Sequence, residues 1–306
     1  MYSIIFLGTP KMSADFLRKL ILWNKVEIKA CITQPDNSFK KGDKALSEVA
    51  KVAREYNIPC YKVEKLNKDY QFIIDLKPDL LLTFAYGQII STNVLNLSKF
   101  KALNLHGSIL PSYRGAAPIQ YSLFNGDKET GVSLMAMEKG VDCGEVYAIR
   151  KFSIDEDDNY TSLCDKMSEN AFKLVEEKLL SFFEGKLIGQ KQNDDLATFT
   201  SMIKKEQEHL DLTKSVDNLI NSIRALSYQP GGYLLLNDEK IKIYRARKVN
   251  DLVIASIGEV VSTNKELVVQ GSDGQFEVLQ LKREGKNMVD GRSFVNGYEI
   301  KGKIFK

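Results

Sequence analysis

"SIIFLGTPKMSADFLRKLILWNKVEIKACIT", residues 3–33, contains an apolar run, a Gly-Thr-Pro turn, a longer amphipathic run and a second apolar run. Ser3–Leu7 reads as a buried strand that stops at Gly8-Thr9-Pro10. In Lys11–Trp23 the residues Phe16, Leu17, Leu20 and Ile21 recur at helical spacing, and Val26–Thr33 returns to a strand pattern. Strand, helix and strand in that order form a βαβ unit, which joins parallel strands.

The alternation continues outward. The pattern predicts a helix from about Leu46 to Tyr56, a short strand near Pro59–Val63 and a helix at about Tyr70–Leu76. The buried-looking strand Asp79–Phe84 follows, then Lys101–Leu105. Right-handed crossovers make a doubly wound, mostly parallel, Rossmann-like α/β sheet the expected fold. Ligands of such sheets sit outside the carboxyl ends of the strands. Three turns fall there: Gly8-Thr9-Pro10, Ala85-Tyr86-Gly87 and Asn104–Ser108.

Further on, Thr130–Glu138 and Val146–Ile154 read as strands flanking the turn Lys139–Glu145. Asp155–Asn159 leads into a helix that reaches about Glu184, with Thr161 as its cap. Residues 187–207 are polar and irregular and read as a linker. A helix near Ser215–Leu226 precedes short strands between Gly232 and Leu281, divided by Asn-Asp, Gly and Asn-Lys turns, the pattern of a small β-barrel. The expected division is an N-terminal domain over 1–188, a linker over 189–207 and a C-terminal domain over 208–306.

Composition narrows the classes. At 306 residues the chain has room for two domains. Lys+Arg 43 against Asp+Glu 40 leaves only +3, so any nucleic-acid surface must be local. Four cysteines, at 31, 60, 143 and 164, show neither a CxxC nor a metal-like spacing, and there are only two histidines. The plain reading is a reduced cytoplasmic protein without a protein-built metal site. The apolar part of the N-terminus is too short for a signal peptide or a membrane span.

One histidine lies in "NLHGSILPSYRGAAPIQ", residues 104–120. His106 can be a structural residue at a sheet edge. Asn104 and His106, however, are two apart on an extended segment, so both side chains leave one face. An amide donor and an imidazole aimed at one point can stabilise an oxyanion. Gly107 and Gly115 leave backbone room for a ligand. Asp142 is either a solvated turn aspartate or the partner of the histidine, since a nearby carboxylate orients an imidazole and favours its charged form. No Gly-x-Ser-x-Gly elbow is present, so covalent catalysis is not favoured. Gly8-Thr9-Pro10 lacks the G-x-G-x-x-G spacing and is a weak dinucleotide signal. Arg114 reads equally as a surface or an anion-binding arginine, and "NSFKKGDK" (37–44) as a solvated loop or a mobile basic finger.

These motifs resemble the methionyl-tRNA formyltransferase family. "NLHGSILPSYRGAAPIQ" is similar to its Asn-x-His segment with the following Leu-Pro-x-Tyr/Trp-Arg-Gly, and "GVSLMAMEKGVDCGE" (131–145) to its Gly-x-Asp-x-Gly stretch. "FLGTP", "TQPD" (33–36), "FAYGQII" (84–90) and "IRALSYQPGGY" (223–233) match in the same order. The resemblance implies an N-terminal formyltransferase domain followed by an OB-like domain that contacts tRNA. It implies 10-formyltetrahydrofolate as formyl donor and no metal. The implied acceptor is methionyl-initiator tRNA, approached at its acceptor stem and 3′ end by a monomer that uses no membrane.

Carried over by residue, Asn104, His106 and Asp142 take the catalytic positions. Phe84, Ala85, Tyr86, Gly87, Gln88, Ile89, Ser108, Leu110, Pro111, Glu138, Gly140 and Val141 take the folate positions. Gly8, Thr9, Pro10, Met12, Lys40, Lys41, Lys44 and Arg114 take the aminoacyl and tRNA positions. Met12 stands where the family often has an aromatic residue, and the basic loop has lysine where arginine is common. A nucleotide-sugar N-formyltransferase using the same three residues, or a folate- or RNA-binding protein without catalysis, are the alternatives.

Overall fold

The computed structural model describes residues 1–306 apart from Phe39, Lys41, Thr263 and Tyr298. The chain divides into two compact units. The first comprises Met1–Pro118, Glu129–Ser153 and Cys164–Thr200, and the second Ile119–Lys128, Ile154–Leu163 and Ser201–Lys306.

The first unit is built on strands β1 (Tyr2–Gly8), β2 (Val26–Thr33), β3 (Cys60–Lys62), β4 (Leu80–Phe84) and β5 (Leu103–His106). The two-residue β6 (Arg114–Gly115), then β7 (Glu129–Ala136) and β8 (Val146–Ser153), complete the set. The main sheet runs β3-β2-β1-β4-β5-β7-β8. From β3 to β5 the pairing is parallel, as the βαβ pattern requires, and β7 and β8 add two antiparallel pairings.

Helix α1 (Lys11–Trp23) has the bounds its spacing predicts and buries Phe16, Leu17 and Leu20. α2 (Glu48–Glu55) is capped by the Ser47 hydroxyl, which accepts from the Ala50 N–H. α3 (Gln71–Leu76) and α4 (Thr92–Leu95) complete the crossovers. β4 is buried throughout, reading "LLLTF", the continuous apolar run of a strand covered on both faces. The direction of strand order reverses between β1 and β4, so the turns after Gly8 and Phe84 flank the switch point where such sheets take ligands.

Two helices carry residues of both units, α5 (Pro118–Phe124) and α6 (Tyr160–Phe183). The cap of α6 is Asn159 rather than Thr161: its Oδ1 accepts from the N–H groups of Thr161 and Ser162. The polar segment after α6 is paired in places. Gln190 bridges Val146, and β9 (Phe199–Thr200) lies parallel to β6.

The second unit packs α7 (Val216–Leu226), capped by Ser215, against a six-stranded antiparallel sheet. Its strands are β10 (Gly232–Leu236), β11 (Glu239–Asn250), β12 (Val260–Ser262), β13 (Val268–Gln270), β14 (Gln275–Arg283) and β15 (Met288–Asp290), followed by α8 (Gly291–Gly297). Asn237 and Asp238, both with positive φ, form the two-residue β10–β11 hairpin turn. β10 and β12 are the two ends of the strand order. Ile304 bridges Glu259, the residue before β12, and Phe305 bridges Leu236 of β10, so the sheet closes on itself as a barrel does. Leu234, Ile241, Ile243, Val269, Phe276 and Leu281 fill its interior.

Among the described residues no helix is long and apolar enough to cross a membrane.

Candidate active site

β5 ends at His106, and the chain leaves it by a turn held from below. The Ser133 hydroxyl donates to the Ser108 carbonyl and accepts from the Leu110 N–H, while the Ser108 hydroxyl donates to the Ser112 carbonyl. This turn brings the Tyr113 carbonyl within 2.9 Å of His106 Nε2. Nδ1 of the same ring stands 3.4 Å from Asp142 Oδ2. Each ring nitrogen therefore faces an oxygen acceptor, and a ring with a proton on both nitrogens would donate to both. His106 is 5% exposed and the Asp142 side chain 20%, so the pair is sheltered on the imidazole side and open on the carboxylate side.

Asn104 lies two residues earlier on β5 and is half-buried. Thr83, its register partner on β4, donates its hydroxyl to Asn104 Oδ1 at 2.7 Å. With the oxygen occupied, the amide nitrogen is the donating end of the side chain. Asp142 comes from the β7–β8 turn with a φ of 46°. Its Oδ2 accepts the Gly115 N–H at 2.9 Å. Gly115, at φ 107°, is required by close approach, because a Cβ there would lie 2.3 Å from the Thr200 carbonyl oxygen.

The other expected positions divide by location. Thr9 donates its hydroxyl to the Tyr86 carbonyl, and Ser13 donates to the Phe84 carbonyl, which ties the Gly8-Thr9-Pro10 turn to the segment after β4. Ala85, Gly87 and Ile89 are exposed, whereas Phe84 is buried. The Tyr86 ring sits in the apolar cluster with Ile5, Leu7 and Ile32. Gln88 is committed to the Val63 carbonyl and the Leu66 N–H. Leu110 is buried and Pro111 half-buried beside the His106 turn, while Glu138, Gly140 and Val141 are exposed on the Asp142 turn. Gly8 is buried, Pro10 exposed and Met12 half-buried.

Lys40 and Lys44 are exposed on a loop closed by the Asn37 N–H to the Ala45 carbonyl, and Lys41 lies outside the described residues. Arg114 is 4% exposed, with Nε on Gln192 and Nη2 on Asp194. Sequence reasoning did not single out Thr83, Gln192 or Ser133. For Thr83 a signal existed, since one hydroxyl inside an apolar buried strand must find a partner. Gln192 lies in a polar stretch without periodicity and gave none.

The formyl transferase profile matches residues 2–179, and that of the formyl transferase C-terminal domain matches residues 202–299. A methionyl-tRNA formyltransferase of Lactobacillus gasseri is 37% identical over 301 residues, covering 97% of this chain and 96% of that protein. The chain belongs to the methionyl-tRNA formyltransferase family. Solved structures share the fold. The methionyl-tRNA formyltransferase from Clostridium thermocellum has a TM-score of 0.58 at 17% identity, covering 84% of this chain and 97% of that one. An N-formyltransferase from Helicobacter canadensis, in complex with folinic acid and dTDP-3-aminofucose, has 0.66 at 20% identity, covering 91% and 99%. In this member of the methionyl-tRNA formyltransferase family, His106 at the end of β5 and Asp142 on the β7–β8 turn stand 3.4 Å apart.

Proposed function

We infer that this chain transfers the formyl group of 10-formyltetrahydrofolate to the α-amine of methionyl-initiator tRNA, as a cytoplasmic monomer. The observation that carries this reading is the His106–Asp142 pair beside an Asn104 whose oxygen is already taken by Thr83. Membership of the family supplies the substrate classes.

The amine nitrogen attacks the formyl carbon, and the carbonyl oxygen becomes an oxyanion. Asn104 donates to that oxygen, and His106 in its charged form stabilises it. Asp142 orients the imidazole and takes up the amine proton, directly or through water. The oxyanion then collapses to the carbonyl of the new formamide, the carbon–N10 bond breaks, N10 takes the proton that the amine gave to Asp142, and tetrahydrofolate leaves. Removing one oxyanion donor typically costs about 3–4 kcal/mol of transition-state stabilisation. On this reading residues 1–188 hold the donor against the segment Phe84–Ile89 and the turn Glu138–Asp142. Residues 208–306 contact the tRNA.

The test is a formyl-transfer assay offering methionyl-initiator tRNA, free methionine and a 4-amino-sugar nucleotide. Transfer to the charged tRNA, lost in Asn104→Ala, His106→Ala and Asp142→Ala, is the expected result. Preference for the sugar nucleotide, or near-normal kcat/KM in His106→Ala, would sink the proposal.

A further inference from the structure

The Asp142 turn is exposed at its tip and pinned on one side. Glu138, Lys139, Gly140 and Val141 are open to solvent. At its base the Ala136 N–H donates to the Glu145 carbonyl. On the Asp142 side, the side chain of Gln192 reaches in. Its Nε2 donates to the carbonyls of Asp142 at 2.9 Å and of Gly144 at 2.8 Å. Gln192 is 8% exposed, so both of its amide ends need partners. The other end, Oε1, accepts from Arg114 Nε at 3.0 Å. Arg114 is held in turn by Asp194 at 2.7 Å and by the Thr198 carbonyl, which accepts the Arg114 N–H at 2.8 Å.

Arg114 is also the residue before Gly115, whose N–H binds the Asp142 carboxylate. It follows Tyr113, whose carbonyl binds His106. One buried chain of bonds therefore fixes the main chain of Asp142, the donor to its carboxylate and the acceptor for its histidine partner.

We propose that Gln192 and Arg114 are positioning residues for formyl transfer: Gln192 sets the Asp142 carboxylate against His106, and Arg114 fixes Gln192. The inference rests on the formyl-transfer reading of the site. It gives Arg114 a use inside the protein rather than on tRNA. A guanidinium only 4% exposed, and already paired with an amide and a carboxylate, offers little surface to a phosphate.

Gln192→Glu is the informative change. It keeps the shape and the acceptor for Arg114, but removes both donors to the turn. In the full-length protein kcat falls by roughly ten- to a hundredfold, the range for a small misplacement of a reacting group, while KM for tRNA stays within about twofold. In an Asp142→Ala background the same change adds little, because the group it positions is gone. Asp194→Ala, a change at an exposed residue that should not threaten folding, lowers kcat less and in the same direction.

Alkylation of Cys143 by iodoacetamide, followed on its peptide by mass spectrometry, reads the turn without any turnover. It should rise severalfold in Gln192→Glu. An unchanged kcat in Gln192→Glu, or an equal loss with and without Asp142, would overturn the assignment. An unchanged Cys143 rate would overturn it as well, even if the wild type formylates none of the acceptors offered. Faster Cys143 labelling in a protein with no formyl transfer would instead leave the turn clamp standing and remove the proposed function.

Discussion

Gly115 and Asp142 are joined by a hydrogen bond from the glycine N–H to Oδ2, the same oxygen that stands 3.4 Å from His106 Nδ1. One carboxylate oxygen thus serves a backbone donor and the imidazole together. The glycine can reach it only because it has no Cβ to meet Thr200. Gly115→Ala forces either β9 away or the φ of 107° out of its region. Strain of this kind costs about 1–3 kcal/mol. The variant should melt earlier than the wild type and turn over more slowly. A Gly115→Ala protein with wild-type Tm and kcat would show that this bond positions nothing.

Thr83 decides which end of Asn104 faces outward. Thr83→Val keeps the shape and removes the hydroxyl, freeing the amide to rotate. Stability should fall by about 1 kcal/mol, the usual worth of one hydrogen bond. Turnover should fall by more than that loss explains, with folate KM unchanged. Steady-state kinetics beside thermal unfolding separate the two effects, and a kcat equal to that of the wild type would count against Asn104 as the oxyanion donor.

The phenol of Tyr86 is buried without a hydrogen-bond partner among the described residues. Tyr86→Phe should therefore leave stability at neutral pH unchanged or raise it by about 1 kcal/mol. Burial pushes this phenol from 10.0 up to about 12. The folded state keeps the proton where the unfolded chain loses it. The corresponding stability is fully present below pH 10 and is lost as pH rises through 12, at most about 3 kcal/mol. In denaturant titrations the stability difference between wild type and Tyr86→Phe should be constant below pH 10 and grow as pH rises through that window. Folate affinity should be equal in both, and weaker binding by the variant would place the hydroxyl on the ligand.

Lys40 and Lys44 are exposed on the loop that follows β2. Lysine contacts phosphate as a point charge, without the bidentate fork that reads bases. Replacing both by alanine should raise KM for tRNA and reduce the slope of log K against log salt by roughly one unit per lost contact. Folate binding should not respond. If slope and KM are both unchanged, the loop is a solvated connection only.

The parallel half of the sheet could be read from the chain because its strands are buried on both faces and its helices on one. Ile4 to Leu7, Leu80 to Leu82 and the Phe16-Leu17-Leu20 stripe carry that difference as plain apolar periodicity. His106 and Asn104 could be read because a polar pair at a strand end breaks that periodicity. The pairing of Phe199–Thr200 with Arg114–Gly115 left no such mark, since backbone groups and polar side chains make it. The burial of Arg114 was hidden for the same reason: its partners, Gln192 and Asp194, are about eighty residues away and look like any solvated loop. Charge and polarity report whether a residue can be hydrated, and only tertiary contact reports whether it is.

The order in which the two units take up chain has a practical consequence for truncation. Residues 119–128 and 154–163 belong to the unit completed by residues 201–306, yet each is followed by sequence of the other unit. The backbone passes from one unit to the other five times, so no single nick or stop codon releases either one whole. A shortened gene ending near residue 200 would encode Phe124, which packs on the barrel core, without the strands that cover it. Such a product would present bare apolar surface to chaperones and proteases. Dissecting this protein genetically therefore calls for circular permutants or substitutions in full-length chains rather than deletion series.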